Sequence, residues 1–197
     1  PQPLVDLFAQ LDHEPVWLDR DKLKLGCRVS RRVGPWGELV LRNMSLMGGY
    51  LGAAAAKPLV FTGQLDRMTP RRLVETGKFW MDVTTPGGLE RQEDGFKSAV
   101  RVRMMHAQVR AMLLQSGKWK MEWGYPLNQS DSMATILEFS AVFLTGLRAL
   151  GFIFSKRERE AVYHLWRYVG YLMGVEERIL PSCEDDAMRA LYMVLAT

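Results

Sequence analysis

Ser98–Gln115, SAVRVRMMHAQVRAMLLQ, is the stretch on which the fold class turns. Apolar residues recur at three and four and no Gly or Pro interrupts them, which predicts one helix. His106 is its centre. Val102, Arg103, Val109 and Arg110 lie one turn either way on the same face, with Ala99 and Leu113 further out. The imidazole therefore sits on a mostly apolar stripe between two guanidinium groups. The stretch carries Arg101, Arg103 and Arg110 and no Asp or Glu. Buried unpaired charge is costly, so an inward-facing cation here requires an anion, either a carboxylate elsewhere in the chain or a bound cofactor or ligand. The same spacing also fits a satisfied core histidine with arginines that reach solvent.

The rest of the chain predicts more helices. A short apolar helix around Leu4–Leu11 is followed by a connection through Pro15, Asp19 and Asp21, with His13 a surface residue in a polar context. Trp36–Ala56 is helical in pattern but dense in small residues, namely Gly48, Gly49, Gly52 and Ala53–Ala56; Lys57 and Pro58 close it. Such a cluster usually has a packing reason, here the close approach of a helix or of a flat ligand. Its apolar part is too short to span a bilayer, which argues against a transmembrane helix and leaves a peripheral membrane contact open.

Thr69-Pro70 opens the next helix as N-cap and first helical residue, and the pattern runs to about Val83. Arg72 and Thr76 share a face there, with Phe79 and Trp80 one turn on and Glu75 off that line; a solvated Arg72 on an amphipathic surface helix is the plainer alternative. Pro86-Gly87-Gly88 marks a polar loop from Thr84 to Gly95. After Gly117 comes an aromatic loop with Trp119, Trp123 and Tyr125. Ser130 or Asp131 then caps an apolar helix bearing Ile136, Phe139, Phe143, Leu144 and Leu147, which ends at Gly151. Ser155-Lys-Arg-Glu158 is a capping box for a helix running to Gly174, and Ser182–Asp185 repeats the pattern for the last one. His164, beside Trp166 and Tyr168, is either a second cofactor-facing group or a packing residue bonded to backbone. No alternating strand stands out. The expected class is all-α, a single globular domain over residues 1–197 with a cofactor pocket between helices, globin-like in a loose sense.

Composition narrows the function. The 197 residues are 48% hydrophobic and 24% charged, a globular balance able to bury a sizeable core. Twelve Met and twenty aromatics suit an apolar pocket. A net charge of +4 without dense Lys/Arg runs makes nucleic acid a poor partner. Cys27 and Cys183 form no CxxC, and a disulfide between them stays open. HExxH, GxSxG, P-loop and GxGxxG motifs are absent, and GGYLG at 48–52 lacks dinucleotide spacing. Three His permit only single-His ligation, and none follows a Glu by three residues, which removes the carboxylate-bridged di-iron pattern. One axial imidazole, an apolar slot and arginines for propionates would suit haem. No initiator Met or leader precedes Pro1, and Thr197 falls within a helical pattern, so a fragment of a longer chain is expected, with the cytoplasm as default compartment. Oligomeric state is left open.

Five stretches together resemble the MpaB/rubber-oxygenase catalytic domain family, which includes the latex-clearing proteins. They are Arg72-Leu-Val-Glu-Thr76, Pro86-Gly87-Gly88, VRVRMMHAQVR at 100–110, Gly124-Tyr-Pro-Leu-Asn-Gln129 and YHLWRYVGYLMGV at 163–175. The resemblance covers residues 36–178. It implies an all-helical fold holding haem b, with His106 as the axial iron ligand and Arg72 and Thr76 as the polar pair near the pocket. Arg103 and Arg110 are propionate candidates by helix geometry. The implied activity is haem-dependent oxygenation, with dioxygen, of an apolar isoprenoid, lipid-like or polymeric substrate; the alternative is a non-catalytic haem- or ligand-binding protein of the same fold. Two positions depart from the latex-clearing pattern. Glu75 stands where those proteins carry a Lys, and Ala53–Ala56 occupies the stretch where their proposed acid/base Glu would lie.

Overall fold

A computed structural model describes residues 2–46, 53–61 and 69–196. Among these there is no strand. The helices are α1 (Gln2–Asp12), α2 (Arg20–Arg32), α3 (Pro35–Val40), α4 (Ala53–Phe61), α5 (Thr69–Thr84), α6 (Asp94–Gln115), α7 (Gln129–Ala149), α8 (Lys156–Leu172) and α9 (Glu184–Leu195). A π-helical segment, Leu41–Leu46, continues α3, and a second one, Glu138–Val142, lies within α7. Gly48, Gly49 and Gly52 lie outside the described residues.

The centre of the core is α8. Ala161 to Trp166 and Tyr168 to Gly170 are buried almost without interruption, as expected of a helix covered on nearly all sides. It packs on α2, α6, α7 and α9. Trp166 stacks on Phe139 of α7 with ring centroids 4.6 Å apart. α2 crosses α8 closely at Gly26, where an added Cβ would fall 2.3 Å from the carbonyl oxygen of Ala161. Only Gly allows that approach.

Local chemistry explains where the helices start. Ser155 Oγ accepts from Glu158 N while the Glu158 carboxylate accepts from Ser155 N at 2.8 Å, so the expected capping box is present. For α7 the cap is Asn128 and not Ser130 or Asp131: its Oδ1 accepts from Asp131 N at 2.9 Å and its Nδ2 donates to the Asp131 carboxylate. The short amide reaches the exposed N–H from a position further upstream, and Asp131 then serves as its acceptor. Cys183 takes the N-cap position of α9, while Ser182 N and Oγ bond to Asp186. Pro58 lies inside α4 and does not close it.

The α2 helix was not expected. Its hydrophobic positions are few and its charges many, so it reads as a connection in sequence. Asp19 caps it by accepting from Asp21 N and Lys22 N, and Leu23, Cys27 and Val29 face the core. Both cysteines are free thiols. Burial pushes the Cys27 thiol up to about 12. By length and composition α7 could cross a membrane, but about half of its apolar stretch is buried in the protein, as in a core helix.

Candidate functional site

The site is built on the α5–α6 pair. Gly88 and Gly95 let the turn between them close, since a Cβ at either would meet the Asp82 carbonyl oxygen at 2.5 and 2.6 Å. Ser98 Oγ donates to Asp82 Oδ2 at 2.7 Å, and Lys78 Nζ to the same oxygen at 2.6 Å. These bonds hold the Asp82 carboxyl low in spite of the opposing desolvation of its partial burial. They also pin the register of two antiparallel helices. Counting away from that bond along both helices, Thr76 falls level with Met104 and Arg72 with Gln108. His106 therefore lies between the levels of Thr76 and Arg72, about 3 Å along the axis from each.

Phe79 and Trp80 tie this face of α5 to the core, Phe79 against Phe139 and Trp166, Trp80 against Phe143. Arg72 and Thr76, on the preceding turns, are half-buried. Glu75 is exposed and ion-paired to Arg71 at 2.7 Å.

The His106 ring is half-buried, and among the described residues it makes no hydrogen bond. Desolvation, and then the positive charge of Arg110, push its pKa below the usual histidine range, which keeps the ring neutral at physiological pH. A neutral imidazole with a free nitrogen lone pair is a competent metal ligand.

The arginines expected to need an anion meet neutral oxygens. Arg110 donates Nε to the Pro126 carbonyl at 3.1 Å and Nη2 to that of Leu127 at 2.5 Å, fixing the loop ahead of α7. Leu127 has φ of 52°, a conformation such bonds help to hold. Arg103 donates Nη2 to Gln10 Oε1 at 2.9 Å and packs where Gly174 leaves room, while its Nη1 is buried without a partner among the described residues. Arg101 is exposed.

The other histidines lie elsewhere. His13 is exposed, and its carbonyl accepts from Tyr171 Oη at 3.2 Å. His164 is buried; its Nε2 accepts from Asp19 N at 3.0 Å and Trp17 meets it edge-on. That bond assigns His164 to anchoring the start of α2. Among the described residues no three His, Cys, Asp or Glu side chains cluster as a metal site.

Glu138 was not singled out in the sequence, although it interrupts the apolar run TILEFSAVF. It begins the π-helical segment of α7, and its carbonyl accepts from Ser45 Oγ at 2.7 Å. Burial pushes its carboxyl up to about 8, and among the described residues the side chain has no partner. A π-helical turn inserted in an α-helix often accompanies function.

Residues 31–197 match the family model described as "ER-bound oxygenase mpaB/B'/Rubber oxygenase, catalytic domain". The chain belongs to this family. The rubber-oxygenase family also supplies a relative, the rubber oxygenase of Streptomyces sp. (strain K30), which is 25% identical over 96% of this chain and 48% of its own length. A solved latex clearing protein in the closed state superposes with a TM-score of 0.80 at 22% identity, over 98% of this chain and 53% of its own. At that identity the likeness establishes the fold, all-α as expected. The chain spans about half the length of these relatives.

Proposed function

We propose that this member of the rubber-oxygenase family binds haem b through His106 and uses dioxygen on an apolar, isoprenoid-like substrate. The supporting observation is the His106 ring, neutral, half-buried and without a hydrogen-bond partner among the described residues, at the level of Arg72 and Thr76 on the facing helix. The donor set fits haem: a single neutral imidazole is the axial ligand the group takes. The unpartnered buried Nη1 of Arg103 is a donor that a propionate carboxylate would satisfy. Arg110 holds the 126–127 loop with two of its nitrogens and would contribute to propionate binding only secondarily.

When bound, haem would supply the oxygen chemistry. The chain's share is to hold the ring, exclude water and set access. His106 would present a nitrogen to the metal, with Arg110 disfavouring its protonation. Thr76 Oγ1 and Arg72 would line the opposite wall of the α5–α6 pair, offering a hydroxyl and a guanidinium to orient a polar ligand. Met and aromatic side chains nearby suit an apolar substrate such as the rubber named for the relatives.

A non-catalytic haem-binding role is the second reading. Glu75 turns outward to Arg71, and Ala53–Ala56 brings no carboxylate to α4. The deciding experiment is the absorption spectrum of protein expressed with haem supply, wild type beside His106→Ala. A Soret band that the variant loses or shifts supports haem ligation; a wild type without one refutes it. Oxygen uptake with polyisoprene then separates the two readings.

A further inference from the structure

Away from the α5–α6 site, the last turn of α4 and the loop 118–125 form an aromatic cluster ringed by lysines. Phe61 lies 5.9 Å from Trp119 and 5.6 Å from Trp123, and the two indoles meet edge-on at 5.4 Å. Lys57 and Lys120 both place their ammonium groups over the Trp123 ring, at 5.2 and 5.7 Å from its centroid. Around these rings large apolar side chains face water: Val60 is 57% exposed, Met121 53% and Tyr125 60%. Lys118 is exposed as well. The only acidic residue in the 118–125 loop, Glu122, lies 3.7 Å from Lys120.

The cluster is pre-shaped. Trp119 Nε1 donates to the Gly124 carbonyl at 2.9 Å, and Gly124 N donates to the Met121 carbonyl at the same distance. Gly117 and Gly124 have φ of 67° and 76°, conformations that favour glycine and that turn the loop sharply at both ends. Holding Met121 and Tyr125 at the tip of an ordered turn, with cations around the base, costs solubility unless something apolar and negative covers them.

We propose that this surface docks on an anionic phospholipid bilayer, with Val60, Met121 and Tyr125 entering the interface and Lys57, Lys118 and Lys120 meeting headgroup phosphates. Indole and phenol rings have an apolar body and a polar edge, which suits the depth of the headgroups. Lysine stems lie along such rings while the ammonium extends to the phosphates. Three lysines against one glutamate supply the charge complementarity, and an anionic surface adds about fivefold in partitioning for each lysine it meets. Since α4 packs on α6, docking here would bring an apolar phase to the helix pair that carries His106. The proposal does not depend on haem.

The test is co-sedimentation of the full chain with vesicles of phosphatidylcholine alone and of equimolar phosphatidylcholine and phosphatidylserine, with tryptophan emission read alongside. Wild type should bind the mixed vesicles, with a blue shift, and bind the neutral ones at least tenfold more weakly. Lys57→Glu with Lys120→Glu should lower binding at least twentyfold. Val60→Asp with Met121→Asp should abolish the blue shift, and Tyr192→Asp on the exposed face of α9 should change neither readout; circular dichroism checks that each variant is folded. Absence of vesicle binding in wild type overturns the proposal. So does binding that survives both sets of patch variants, or that the Tyr192 variant removes. Self-association abolished by Met121→Asp, with no vesicle binding, would assign the surface to a second copy instead.

Discussion

Replacing Gly26 by Ala reverses the sign that helix propensity alone would give. Inside a helix the change is worth about 1 kcal/mol in favour of Ala. At the α2–α8 crossing the new Cβ would lie 2.3 Å from the Ala161 carbonyl oxygen and 2.9 Å from both the Ala161 carbonyl carbon and Leu165 Cβ. Two of these atoms are backbone and the third is a Cβ, so no rotamer change relieves the contact. The helices must separate by roughly an ångström, which loosens the dispersion contacts along their interface. Overpacking of this kind costs about 1–3 kcal/mol, and a clash against backbone belongs at the upper end. After the propensity gain, a net loss of about 2 kcal/mol remains, or about 4–8 °C in Tm for a chain of this size. Gly77→Ala in α5 is the matched control, because nothing lies within 4 Å of its added Cβ. In haem-free protein it should raise Tm by about 2–4 °C. Thermal unfolding followed by far-UV circular dichroism measures both. A Gly26→Ala protein that melts at or above wild type would refute the close α2–α8 packing.

Two further tests concern buried titratable groups. Glu138 keeps its proton to about 8 in the native state against 4.5 for an ordinary glutamate, so the folded chain binds more protons across that interval. Its contribution to stability is complete below about 4.5 and is lost as pH rises through about 8. Glu138→Gln should remove that decline, and urea midpoints that fall equally in both proteins over this range would contradict the assignment. The thiols should also separate: in native protein at neutral pH one of the two cysteines, Cys183, reacts with a disulfide reagent, while Cys27, buried and raised to about 12, waits for unfolding. Equal labelling of both in the native state would show that the α2 interface opens.

How far the fold was legible in sequence depended on how local its causes are. The capping box at Ser155 is one such case, since both partners lie within four residues. The apolar run of α7 and the His106 helix could be read for the same reason, through their periodicity. The helix α2 was missed because its sequence, RDKLKLGCRVSRR, is mostly polar; what commits it to a helix is Gly26 against α8 and Asp19 held by His164. His164 itself could be given either role until Asp19, 145 residues away in the chain, supplied its bond.

The candidate site divides the same way. Its residue types and their order along two helices are written in the sequence, and they carry the family resemblance. Whether those residues share a level is not, because that depends on the Asp82–Ser98 register and on two glycines that let the helices turn back closely. The partners of Arg103 and Arg110, the outward turn of Glu75 and the burial of Glu138 also emerge only in three dimensions. Helix formation depends on groups three and four residues apart, so the chain by itself determined the all-α class. Charge compensation, protonation and the levelling of side chains depend on groups far apart in sequence, and those only the tertiary structure decided.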